Sequence, residues 1–143
     1  MLLLMFLSTA AARAQPGQKV QVSVSQAGDD IVGSRLAFAV REEIRRSAAY
    51  ELTDVSKSLF NISLVSLDLA VSGETKGVRS SAAMNVTMMN LLPFKKSDPQ
   101  TWYPIHIDAF LLTVGSSRVD EQAKSIVADF DAAVEKFKSA GKP

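Results

Sequence analysis

The chain of 143 residues has no cysteine and a single histidine. Without thiols there is no disulfide, no zinc-thiolate centre, no thiol nucleophile and no cysteine to carry a lipid at a mature N-terminus. One histidine without cysteine also argues against a transition-metal site. An excess of one charge is lacking too, since 16 Lys and Arg stand against 15 Asp and Glu. Electrostatic capture of nucleic acid or of an anionic membrane has no global support from such a balance. No apolar run reaches the ~20 residues that a membrane-spanning helix needs. Neither a Gly-x-Ser-x-Gly elbow, a glycine-rich phosphate loop nor a His-Glu-x-x-His helix occurs, and no cofactor is implied.

What is present is the composition of a folded domain, 47% apolar and 22% charged. Met1 to Leu7 is apolar, and Ala12-Arg13-Ala14 supplies the small-x-small pattern that a signal peptidase reads. We therefore expect residues 1–14 to be a signal peptide and 15–143 a single α+β domain, periplasmic or secreted. Loss of Arg13 with the leader leaves 15 basic against 15 acidic residues.

Along the mature part, Val20, Val22 and Val24 alternate with polar residues as a half-buried strand does. Asp29 or Asp30 then caps a helix whose apolar stripe is Val32, Leu36, Ala39, Val40 and Ile44. Tyr50 to Asp54 reads as a short strand with Tyr50 and Leu52 inward. Phe60, Ile62 and Leu64 share one phase and Val65, Leu67, Leu69 and Val71 the other, so a β-bulge is expected between Leu64 and Val65. Residues 72–77 form a hairpin connection, and 78–91 returns with Val78, Ala82, Met84, Val86 and Met88 on one face. A polar loop over 93–100 leads into a strand over 102–114. Its odd positions, Tyr103 to Thr113, make one set; His106 and Asp108 fall in the other. The last helix, about 118–139, has the stripe Val119, Ala123, Ile126, Val127, Phe130, Val134 and Phe137, and 141–143 should fray.

The order β-α-β-β-β-β-α gives a two-layer sandwich: a mostly antiparallel sheet with two helices on one face. The opposite face should display Arg79, Ser81, Asn85, Thr87, His106 and Asp108.

Chemistry has few candidates. His106 and Asp108 on one strand face have the spacing by which a carboxylate orients an imidazole for base catalysis, against the plainer reading of a polar strand face. Asp29, Asp30, Asp68 and Asp108 offer oxygen ligands, though capping explains the first two more simply. Arg41, Arg45 and Arg46 form a basic helix edge, but Glu42 and Glu43 interleave with them and favour local ion pairs. Met84 and Met88 read as core and Met89 as a surface contact. Trp102 and Tyr103 are either an exposed aromatic anchor or a lid over the core. The triplets Asn61-Ile-Ser63 and Asn85-Val-Thr87 fit a glycosylation acceptor but lie within strands.

The run Val20 to Val24, then Asp30-Ile31-Val32-Gly33-Ser34-Arg35-Leu36 to Ser47, then Tyr50-Glu51-Leu52-Thr53-Asp54 resembles the opening of periplasmic α/β modules. Examples are the N-terminal domain of TolB and the CsgG-like and LpoB-like domains. The resemblance covers the first third of the mature chain and implies a non-catalytic module that docks envelope proteins. The chain departs from those families in having neither the propeller of TolB nor a lipidated cysteine.

The reading is an exported binding module of the bacterial envelope that docks a protein partner or a second copy of itself, with no nucleic acid, membrane span or lipid anchor. Arg79, Asn85, Thr87, Trp102, His106 and Asp108 are its candidate contact residues. The alternative is a small hydrolase or ligand-binding protein built around His106.

Overall fold

The structure, a computed structural model, describes residues 19–69, 78–91 and 102–140. The expected signal peptide, the 72–77 connection, the 93–100 loop and the 141–143 tail lie outside these. The described elements follow the expected order: β1 (Val20–Ala27), α1 (Ile31–Arg46), β2 (Tyr50–Leu52), β3 (Phe60–Asp68), β4 (Arg79–Leu91), β5 (Trp102–Gly115) and α2 (Val119–Ala140). A 3₁₀ turn over Ser116–Arg118 joins the last two.

Gly28 takes a φ of +117°, a region closed to most side chains, and lets β1 turn sharply into α1. Asp30 caps the helix by accepting from the Gly33 amide. The first turn lies so close to β3 that a Cβ on Gly33 would fall 2.0 Å from Ser66 Oγ. Val32, Leu36, Val40 and Ile44 face the sheet as the stripe requires. On the solvated side Arg45 pairs with Glu42 and Arg46 with Glu43, the local ion pairs that the interleaving predicts.

The sheet order is β2-β1-β3-β4-β5. The three long strands β3, β4 and β5 are antiparallel neighbours, as expected, whereas β1 is parallel to both β2 and β3, so the sheet is mixed. Parallel pairing arises because the chain leaves β2 at the level of Val22 and re-enters at Phe60 on the other side of β1. The crossing is pinned by the Thr53 amide to Val22 O and the Leu59 amide to Gln21 O, both 2.9 Å.

Both helices cover one face. Val22, Ile62, Leu64, Met84 and Val86 of the sheet meet Leu36, Val40, Ile44, Ile126 and Phe130 of the helices in one core, all at most 1% exposed. Full burial of such side chains contributes about 1.5–3 kcal/mol each. Phe130 sits among aromatics, its ring centroid 5.2 Å from Tyr50 and 6.0 Å from Phe60.

Two expectations about strand phase need correction. Strand β3 pairs with β4 without a register shift from Phe60 to Asp68, so it has no bulge at Leu64 and Val65. The register shift is in the β4 and β5 pair instead, at Val86 and Thr87, where Val86 pairs with Asp108 and Thr87 with His106. Ile107 is the extra residue, and beyond it Phe110, Leu112 and Val114 turn toward the helices in place of the odd set.

Candidate functional site

The face of the sheet away from the helices is where a site can form, and strand register assembles it row by row. Residues paired across neighbouring strands share a face. The row Asn61, Thr87, His106 is followed by Ser63, Asn85, Ala109, then Val65, Ala83, Leu111, then Leu67, Ser81, Thr113. One end is therefore polar, and the other carries Val65, Leu67 and Leu111 beside Ala83, Ser81 and Thr113. Val65 is 54%, Leu67 69% and Leu111 81% exposed, and exposed Leu69 and Val78 adjoin that end.

The absence of a bulge in β3 explains the patch. With unbroken alternation, Phe60, Ile62 and Leu64 go into the core and Val65 and Leu67 are left facing out. A contiguous apolar surface of this kind marks an interaction site more often than singly scattered apolar residues do.

At the polar end, Ser23 of β1 is buried beneath the β2 to β3 crossing. Its Oγ lies 2.8 Å from Ser58 Oγ and 2.9 Å from Asn61 Oδ1, and Ser58 in turn donates to Val55 O at 3.0 Å. This network ties the crossing down and gives Asn61 a structural role in place of the acceptor role its triplet suggested.

Of the contact residues expected from sequence, Asn85, Thr87 and His106 share this face through register. Arg79 stands at the start of β4 opposite Gly115, and Trp102 at the start of β5 opposite Leu91. Asp108 departs: the extra residue Ile107 puts it opposite core-facing Val86, on the helix-covered face, while His106 is opposite Thr87 on the open one. The carboxylate and imidazole expected side by side are thus on opposite faces of the sheet. Asp108 Oδ1 accepts from the Ala109 amide, 2.9 Å. Sequence reasoning missed Val65, Leu67 and Leu111 as surface residues, because outward apolar alternation looks the same as inward alternation.

The sheet edges differ. Strand β2 ends at Leu52, which leaves the Val24 carbonyl of β1 without a strand partner on that side. Arg41 covers it, donating from Nη2 at 3.0 Å and Nε at 3.3 Å, beside a notch of about 490 Å³. A charged side chain on a free edge discourages strand addition. Strand β5 forms the other edge over fourteen residues.

A second concavity, about 660 Å³, lies between the outer side of α1 and the start of α2. Exposed Ile31 and Phe38 line it together with Arg35, Glu42, Asp120 and Lys124, so it carries both charge signs. Among the described residues no cluster of three or more His, Asp or Glu is placed to hold a metal ion, and no helix is long and apolar enough to cross a membrane.

No family model matches the chain, and no curated protein does. Among solved structures, the crystal structure of rare lipoprotein B from Shewanella oneidensis is similar at 14% identity and a TM-score of 0.39, over 82% of this chain and 98% of that one. The TolB and CsgG-like resemblances gain no support from these comparisons, and a superposition this loose says nothing of function.

Proposed function

We propose that this protein is an exported, non-catalytic binding module of the bacterial envelope that docks a protein partner, or itself, through the open face of its sheet. The observation that carries the reading is the set of exposed apolar residues on that face, Val65 and Leu67 of β3 and Leu111 of β5, the two strands that flank β4. Rigid strands hold these side chains in fixed positions, so binding orders little that is not already ordered. The apolar run followed by Ala12-Arg13-Ala14 supports export, and the polar row from Asn61 to His106 supplies hydrogen-bonding groups at one end of the face.

The hydrolase alternative centred on His106 has less behind it, because the bulge separates His106 from Asp108, the carboxylate whose spacing suggested that site.

Affinity capture from envelope extracts of the source cell tests the reading, with the protein and its Leu67→Glu variant as baits. A saturable protein retained by the first and lost from the second is the expected outcome. Retention that is equal for both baits would remove the open face from the account.

A further inference from the structure

The two edges of the sheet are guarded unequally. At one edge β2 is only three residues long and Arg41 covers the Val24 carbonyl beyond it. Along β5 the guards are confined to the first half: Pro104, the extra residue Ile107, and Asp108, whose Oδ1 accepts from the Ala109 amide. From Ala109 to Ser117 there is neither a charged residue nor a proline, and Phe110 to Val114 are all apolar or β-branched. An edge of this composition invites pairing unless something covers it.

Hydrogen bonding shows which backbone groups of this stretch point away from the sheet. The Ser116 amide donates to Val78 O at 2.8 Å, and Arg79 lies opposite Gly115. Bonded and non-bonded pairs alternate in an antiparallel ladder, so Val114, Leu112 and Phe110 turn their amides and carbonyls to β4. Leu111 and Thr113 turn theirs outward, and among the described residues no strand lies on that side. These donors and acceptors have the spacing that the backbone of another strand satisfies.

The side chains are incomplete in the same direction. Phe110 and Leu112 face the helices but are only partly buried, whereas Met84 and Ala82, opposite them on β4, are each 1% exposed. A strand beyond β5 would shield Phe110 and Leu112 as β5 shields Met84 and Ala82. On the open face it would lie beside Thr113 and Leu111, the latter 81% exposed.

We propose that residues 109–115 of β5 receive an extended segment of the protein that docks on the open face, as a sixth strand of the sheet. The proposal rests on the reading of that face as a docking surface and adds the form in which the partner reaches past it. The segment is uncharged, as the stretch beside it is, and carries apolar side chains at every second position toward the helices. A second copy joined edge to edge is the poorer occupant, because one pair of strands of this length buries less than the ~800 Å² per partner of a standard interface. A protein seated on the open face has that contact in addition, and Leu111 belongs to both surfaces.

Amide hydrogen exchange of the protein, followed by NMR in the presence of a peptide of alternating Val and Thr between terminal lysines, tests the edge. Exchange at Leu111 and Thr113 should slow about tenfold at roughly ten times the dissociation constant of the peptide. The same peptide methylated on its backbone nitrogens should slow neither. Thr113→Pro removes an outward donor and spares the β4 ladder, so it should bind the peptide about tenfold more weakly, with melting followed by circular dichroism to check its fold. Unchanged exchange at both amides, or equal slowing by the methylated peptide, overturns the proposal. With Thr113→Pro as a further bait, an envelope protein lost with Leu67→Glu should also be retained less by Thr113→Pro. Full retention by Thr113→Pro overturns the proposal and leaves the open face standing, whereas loss with Thr113→Pro alone keeps the edge and removes the face. Twice the chain mass in sedimentation of the protein alone, returning to a single mass in Thr113→Pro, overturns it in favour of a second copy.

Discussion

Tyr50 opens β2, and its alternation places it inward. The structure agrees and adds what no spacing reveals: its hydroxyl donates to Asp131 of α2, 81 residues away in the chain. Burial pushes the hydroxyl above the ordinary tyrosine range, the hydrogen bond to Asp131 pushes it further, and the negative charges of Asp131 and Glu135 act in the same direction. The folded state thus holds the phenolic proton more tightly than the unfolded chain does. That stabilisation is complete below the ordinary tyrosine value of 10.0 and is lost as pH rises above it. Tyr50→Phe should cost about 1 kcal/mol at neutral pH, the net worth of one hydrogen bond whose acceptor can turn to water. Urea unfolding above pH 10 should then show a shallower alkaline decline in Tyr50→Phe than in the parent, and equal declines would mean that Tyr50 keeps its proton no more tightly when folded. At this scale the sequence was legible for burial, which follows from period and side-chain type. It was silent on pairings such as Tyr50 with Asp131 or Ser23 with Asn61, which depend on how distant segments meet.

Among the elements, both helices were readable because their apolar and charged residues fall on separate sides of a 3.6-residue period. Strand phase was less so. In β3, both alternating sets are apolar around Leu64 and Val65, so the pattern alone does not say which set is buried; the structure buries Leu64 and exposes Val65 with no bulge. In β5, Ile105, Ile107 and Leu111 compete with Phe110, Leu112 and Val114, and the extra residue that decides between them, Ile107, leaves no mark of its own in the sequence. The candidate site suffered most, since one residue too many is enough to move Asp108 away from His106. Deletions separate the two placements of the bulge. Removing Ile107 restores a regular ladder with every other β5 residue on its present face, so the protein should fold with a loss of about 1–3 kcal/mol. Removing Val65 from the unbulged β3 turns one half of that strand over and exposes core side chains, a loss exceeding ~4–5 kcal/mol. The reverse ranking in chemical denaturation would put the irregularity in β3.

For the molecule as a whole, element order and the antiparallel set β3, β4 and β5 could be read from three long alternating strands in succession. The parallel placement of β1 between β2 and β3 could not, because a short crossing over 53–59 has no periodicity to betray it. Among the described residues, two helices cover one side of the five strands and no element covers the other, so the two sides of the sheet differ in kind. The helical side has ion pairs and a groove of mixed charge; the sheet side has uncharged rows with exposed apolar residues at one end. The account gives the sheet side to the partner and the helical side to solvent. Covalent footprinting with a carbene reagent, applied to the protein in its own envelope fraction and to the same protein at high dilution, compares the two directly. The account predicts that peptides carrying Val65, Leu67 and Leu111 are protected in the envelope fraction while those carrying Ile31 and Phe38 label equally in both. Protection of Ile31 and Phe38 with the sheet side unchanged would contradict it.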